Sequence, residues 1–221
     1  DSPRLAQVIP AKDPTPGPSS RFRNLHGYRG QMPCSTLADE ILEPGEGQIR
    51  ALIVSGGNPV VAFPDHELTI NALKDLDLLV VLDHRMTATA ELADYVFAPR
   101  LALERADVPH LMDRWFAAPY TNYTDAVVEA ESELIAEWEF FWEVASRMNT
   151  PIPLPGGELA LDHKPTDGDV IDLVYSNSRM PIDQIRENRG VIHTGKEYVV
   201  QPANPDCTSK FNLMPDGIES E

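Results

Sequence analysis

Three short, fully apolar runs set the frame for this chain: Ala51-Leu52-Ile53-Val54, Leu78-Leu79-Val80-Val81-Leu82 and Tyr95-Val96-Phe97-Ala98. Runs of this length without polar alternation suit strands buried on both faces, as in parallel sheets. The first run ends at Ser55-Gly56-Gly57-Asn58-Pro59, a tight turn, and the second ends at Asp83. Between them, Leu68, Ala72, Leu73 and Leu76 share one helical face over Asp65 to Leu76, and Pro64 or Asp65 opens that helix. Thr87 can cap a second, shorter helix through Ala88, Ala90 and Leu92. Strand, helix, strand, helix, strand at this spacing predicts a βαβαβ unit with right-handed crossovers. The expected fold is α/β, a parallel Rossmann-like sheet with helices on both faces and irregular N- and C-terminal extensions.

The extensions follow from punctuation. Residues 1–50 read as an irregular lead-in, rich in proline from Pro3 to Pro18, with a short helix from Ser35 to Leu42. Residues 51–150 form the Rossmann-like half-domain, and 151–221 an irregular linker toward a C-terminal domain outside the chain. Within the half-domain, residues 103–131 are polar and turn-rich. Ser132 to Met148 is predicted helical, with Leu134, Ile135, Trp138, Phe141, Trp142, Ala145 and Met148 as a packing stripe. Beyond Pro151 the expected elements are two helices, Asp167 to Ser176 and Ile182 to Asn188. The opening residue, Asp1, fits an internal fragment of a longer protein.

Charge and cysteine usage exclude several functions. Thirty-five acidic residues against 18 basic ones give a net charge of −17, which repels nucleic-acid backbones and anionic membranes. No apolar run approaches the roughly 18 residues that a membrane-spanning helix needs, so membrane insertion is not expected. Cys34 and Cys207 are the two cysteines, too few and too far apart for a zinc or iron–sulfur site, and the six histidines lack ligand spacing. No metal ligands are expected in the chain, and compartment is not legible.

Ligands of open α/β sheets bind outside the carboxyl ends of the strands. Two features fall there. Gly57 and its neighbours let backbone amides approach a ligand, and the helix start that follows offers more amides. The third glycine of a dinucleotide fingerprint is missing, and the same letters suit a turn chosen for its backbone angles. Asp83 can accept hydrogen bonds from a ribose or from the paired donors of a guanine edge, or it can cap a turn.

The wording of the segment carries further. Leu37-Ala38-Asp39-Glu40-Ile41, Pro44-Gly45-Glu46-Gly47-Gln48-Ile49-Arg50 into the first strand, and then Gly57-Asn58-Pro59 resemble the molybdopterin oxidoreductase family, in its formate dehydrogenase and nitrate reductase branch. The next family motif is matched by Asp83, Thr87, Thr89, Ala90, Ala93, Asp94 and Pro99 in order. Glu104-Arg105 stands at a family Glu-Lys pair, Trp138 to Met148 resembles the following helix, and Phe211 to Ile218 resembles the link to the last domain. One departure is Ala106-Asp107-Val108-Pro109-His110, where the family has a Gly-rich, Asn-containing stretch.

The resemblance implies a share in binding a bis-molybdopterin guanine dinucleotide cofactor that holds molybdenum or tungsten. Gly57 and Asn58 would contact the dinucleotide at the first turn. Leu82 and Asp83 would approach its nucleotide end, while Arg105 and Glu137 match a basic and an acidic contact. No catalytic residue falls within these residues, and the isolated fragment is expected to be inactive and to hold no cofactor. The parent would perform two-electron redox on a small substrate such as formate or nitrate. An iron–sulfur cluster in an N-terminal region, the remaining domains of the parent and an electron-transfer subunit are the implied companions. A degenerate structural relative without metal, as in a respiratory NADH dehydrogenase large subunit, and a Rossmann-like domain of an unrelated enzyme are the alternatives.

Overall fold

A computed structural model describes residues 17–27, 31–108, 120–131, 133–178, 180–188 and 192–193. The chain divides into two compact units, one of residues 1–36 with 198–221 and one of Leu37–Glu197. In the first, Ser19 and His26 pair antiparallel around a tight turn in which Arg23 and Asn24 take positive φ. A 3-10 turn, Cys34–Thr36, closes its described part.

The second unit holds the sheet. β1 (Ala51–Ser55), β2 (Leu78–Leu82) and β3 (Tyr95–Phe97) pair parallel in the order β1-β2-β3. All three runs expected as strands are strands, adjacent and parallel. Register sets the faces: Val54, Val81 and Val96 align on one side, and Ser55, Leu82 and Phe97 on the other. On the first face, Val54, Leu79 and Val81 form a core with Val60, Leu73 and Ala90. Each fully buried Leu or Val there contributes about 1.5–3 kcal/mol. Leu73 comes from α3 (His66–Asp75), capped by Asp65, whose Oδ1 accepts the Leu68 N–H at 3.1 Å. α1 (Leu37–Leu42) packs against α3 and buries Ile41.

The second connection carries less helix than expected. Thr87 does cap, its Oγ1 accepting the Ala90 N–H at 3.2 Å, but the element is a 3-10 turn, Ala90–Leu92. Asp94 then ties the turn to β2, its N–H donating to Leu79 O at 2.9 Å while its Oδ2 accepts the Leu79 N–H at 2.8 Å.

α4 (Glu137–Met148) starts five residues later than Ser132, the expected start. Ile135 is engaged elsewhere: it bridges Pro99 in parallel, and its carbonyl accepts the Arg100 N–H at 2.8 Å. A helix cannot begin while that backbone extends the sheet. α4 serves the sheet's other face, where the Phe97 and Phe140 rings lie 5.2 Å apart. Its packing stripe is narrower than expected: Trp142 and Ala145 are buried, whereas Phe141 and Met148 are exposed.

Beyond residue 150 a hairpin appears that was not expected, β5 (Ile152–Leu154) with β6 (Gly157–Leu159). Trp142 Nε1 donates to Ala160 O at 2.7 Å, which docks α4 beside the strand leaving this hairpin. α5 (Asp167–Tyr175) and α6 (Ile182–Glu187) match the two expected helices within a residue. α2 (Pro59–Ala62) is a single turn after β1, and β4 (Tyr120–Thr121) pairs antiparallel with β7 (Ile192–His193). Cys207, the segment Phe211 to Ile218, Pro109, His110 and the lead-in up to residue 16 lie outside the described residues.

Candidate functional site

The carboxyl edge of the sheet is built around the turn after β1. Gly56 takes φ +59°, the left-handed region that side chains disfavour, and its N–H donates to Leu82 O at 2.9 Å. A Cβ there would have space, with nothing nearer than a Glu137 oxygen at 3.9 Å, so glycine is needed for its backbone angle. The next two amides, Gly57 N–H and Asn58 N–H, have no partner among the described residues.

The helix start that follows is less generous than the sequence suggests. Val60 N–H donates to Thr89 Oγ1 at 3.1 Å, and the Val61 and Ala62 amides donate to Asn58 O. Pro59 has no N–H at all. The free donors of this turn are therefore Gly57 N–H, Asn58 N–H and the Asn58 side-chain amide, since Asn58 Oδ1 already accepts from Thr89.

Glu137 and Arg105, far apart in sequence, meet beside this turn. Ser55 Oγ donates to Glu137 Oε1 at 2.9 Å, and Arg105 Nη1 lies 3.6 Å from Glu137 Oε2. Arg105 also stands 3.6 Å from Asp107, and its Nε is buried without a partner among the described residues. A carboxylate next to amide donors would repel an anion; the guanidinium offsets that charge. Within a net charge of −17, Arg105 is thus a local positive charge beside the turn.

At the end of β2, the Leu82 side chain is fully buried and its carbonyl is taken by Gly56, so any contribution it makes to a ligand is through position alone. Asp83 forms a turn: its Oδ1 accepts the Arg85 N–H at 3.0 Å, with His84 Nδ1 3.8 Å away. Its second oxygen has no partner among the described residues. One carboxylate oxygen thus caps, which is the structural alternative, and the other is left for a donor.

Sequence reasoning missed Ser55 and the function of Thr89. Both are polar residues at the ends of apolar segments, and neither stands at a spacing that announces its partner. An apolar cavity of about 290 Å³ adjoins the turn, lined by Gly57 and Asn58 together with Leu52, Val54, Pro59 and Phe63 among others. With so little polar lining it does not suit the charged part of a ligand. Among the described residues no group of three or more His, Cys, Asp or Glu is placed to hold a metal, and no helix is long and apolar enough to cross a membrane.

A three-stranded parallel sheet flanked by helices is an open α/β sheet, a fold class whose ligands bind at the carboxyl end of the strands. The sequence model of the molybdopterin oxidoreductases matches residues 21–147, more than half of the chain, and the chain belongs to that family. The F420-dependent formate dehydrogenase 1 subunit alpha of Methanococcus maripaludis is 31% identical over 185 residues, covering 83% of this chain and 25% of that protein. Acetylene hydratase of Syntrophotalea acetylenica is 33% identical over 100 residues, 45% of this chain and 13% of that protein. The solved acetylene hydratase from Pelobacter acetylenicus shares the fold, with a TM-score of 0.59 and 24% identity, over 78% of this chain and 22% of that one. The chain therefore spans a quarter or less of the length of these relatives.

Proposed function

We propose that this chain supplies part of the binding surface for one pterin guanine dinucleotide, in a protein that carries out two-electron redox on a small substrate such as formate or nitrate at molybdenum or tungsten. The observation that carries the reading is the set of three donors at the Gly57-Asn58 turn, just past the carboxyl end of β1, that have no partner among the described residues. Family membership supports a pterin cofactor. Because one relative is named a hydratase, the redox assignment leans on the longer match to a formate dehydrogenase.

When bound, the pterin-held metal supplies the redox chemistry, and the protein binds and orients. In this reading Gly57 and Asn58 donate to phosphate or sugar oxygens. The unpartnered oxygen of Asp83 accepts from the guanine edge, which adenine cannot satisfy. Arg105 and Glu137 balance charge beside the turn, and Leu82 packs beneath it. The remaining domains of the whole protein, and an electron-transfer subunit, complete the assembly.

Titrating guanosine diphosphate and adenosine diphosphate into the 221-residue chain tests this. Guanosine diphosphate should bind about tenfold tighter, a difference of about 1.4 kcal/mol for the extra carboxylate contact. Equal affinity for the two would remove Asp83 from recognition, and no binding of either would remove the crevice. Pterin and metal content of the whole protein then tests the parent activity.

A further inference from the structure

Thr89 is polar and fully buried, on the 3-10 turn's leading edge beside the candidate site. Its hydroxyl donates to Asn58 Oδ1 at 2.8 Å and accepts the Val60 N–H at 3.1 Å, while its own N–H reaches the same Oδ1 at 3.3 Å. A carboxamide atom that takes two donors must be the oxygen, so the Asn58 amide nitrogen is directed away from Thr89. That nitrogen has no partner among the described residues and is not buried.

We propose that Thr89 is the positioning residue of this site: it locks the Asn58 carboxamide so that Nδ2 is presented, alongside the Gly57 and Asn58 backbone amides, as a pre-set donor to an oxygen of a phosphate-bearing ligand. The inference rests on the reading of the Gly57-Asn58 turn as a nucleotide contact. The physical gain is preorganisation. A free Asn side chain samples several rotamers and two amide orientations, and a ligand must order it on binding. Here the ordering is completed during folding by a buried hydroxyl that itself has both donor and acceptor satisfied. The same hydroxyl holds the first available amide of α2, so the turn and the side chain are fixed by one group.

The test uses the full 221-residue chain with guanosine diphosphate as probe, and reads the order of the Asn58 side-chain amide by NMR alongside affinity. In wild type the amide should be as ordered as rigid backbone, with an order parameter near ~0.85. Thr89→Val should release the amide below ~0.6 and weaken the nucleotide by about tenfold, whereas Thr89→Ser keeps the hydroxyl and should restore both. Asn58→Asp leaves an oxygen for Thr89 but replaces the donor with a negative oxygen, and should lose tenfold or more. A mobile Asn58 amide in wild type overturns the lock without any variant, which also covers the case that Thr89→Val does not fold. An ordered amide in Thr89→Val overturns it as well, as does a released amide with unchanged affinity while Asn58→Asp is impaired. If wild type binds no guanosine diphosphate, or Asn58→Asp binds it normally, the nucleotide reading of the turn fails, and the positioning role falls with it. The amide order then still reports separately whether the Thr89 contact holds.

Discussion

Two polar clusters sit on the same compact unit, and they differ in what they leave unpaired. One lies where α4 and α5 meet: Glu139, almost fully buried, is held by Arg100 at 3.2 Å and Lys164 at 2.6 Å. Asp167 faces Arg100 at 3.5 Å and accepts from Trp138 Nε1 at 2.7 Å. Both carboxylates are met from two sides by groups of this chain. The other cluster is the carboxyl edge of the sheet, where Ser55, Glu137 and Arg105 converge but two backbone amides and one side-chain amide have no partner among the described residues. Among the described residues each cluster has one buried guanidinium Nε without a partner, Arg100 and Arg105, so that atom does not separate them. Backbone donors do. Polar groups satisfied from within make a joint; donors left open at a strand end make a place for a ligand.

The comparison is broken most forcefully at Glu139. Glu139→Ala leaves Arg100, about a quarter exposed, with Asp167 as its remaining carboxylate and leaves Lys164 to solvent, so the loss of the two charged contacts costs about 2–3 kcal/mol. Urea unfolding should show that loss, with guanosine diphosphate affinity unchanged per folded molecule. A fall in affinity as large as the fall in stability would erase the distinction between joint and site.

At Asp83 the two roles meet in one carboxylate. Asp83→Ala should weaken guanosine diphosphate by about tenfold to a hundredfold, the 1.5–3 kcal/mol of a hydrogen bond to a charged group. It should also cost about 1 kcal/mol of stability, because the bond from the Arg85 N–H is lost. Asp83→Asn should bind nearly as poorly if its amide nitrogen meets a donor. Stability loss with unchanged affinity in calorimetry would make Asp83 a turn cap only.

The division between joint and site also marks what the sequence reveals. β2 is legible because burial on both faces writes itself as an unbroken apolar run; β1 and β3 carry the same apolar letters and are strands, but Ile53 and all of Tyr95, Val96 and Phe97 are exposed, so the expected burial on both faces holds for β2 alone. The two later helices are legible from their punctuation. Ile135 is not, because its apolar side chain fits a helical stripe while its backbone bonds to residues near Pro99. The β5–β6 hairpin is hidden by strands of three residues, one of them containing Pro153. Gly57, Asn58 and Asp83 can be placed at strand ends from the order of elements alone. Thr89 cannot be given its partner, since its contact with Asn58 crosses 31 positions and depends on where the second connection folds back.

The glycines sharpen the same comparison at lower energy. Gly56→Ala forces a side chain into the left-handed region and should cost about 1–2 kcal/mol in stability. Gly57 lacks positive φ, and a Cβ there meets Val54 Cγ1 at 3.4 Å, an ordinary contact. Gly57→Ala should therefore fold with a loss under about 1 kcal/mol while its methyl group crowds the open amides. Nucleotide affinity reduced more by Gly57→Ala than by Gly56→Ala is the expected pattern in paired melting and titration experiments. The reverse order would place the ligand elsewhere.

The smallest effect belongs to the start of α5, on the joint side. Asp169 Oδ2 accepts from Thr166 N–H at 2.8 Å and from Thr166 Oγ1 at 2.7 Å, while its own N–H donates to Thr166 Oγ1 at 3.2 Å. The Thr166 backbone bond first, and its hydroxyl second, hold the Asp169 carboxyl below the ordinary carboxylate range. A depressed value means that the folded state binds this proton less readily than the unfolded chain does. Its stabilisation is therefore complete above the unfolded value of about 3.9 and is lost as pH falls through the lower folded value. Asp169→Asn keeps an oxygen for the cap but cannot ionise. Melting wild type and variant from pH 6 down to pH 3 should show a small gap in favour of wild type that narrows below about pH 4. Other carboxylates titrate over the same range in both proteins, so the difference between the two curves isolates Asp169. A gap that stays constant with pH would mean that the cap acts through shape rather than charge.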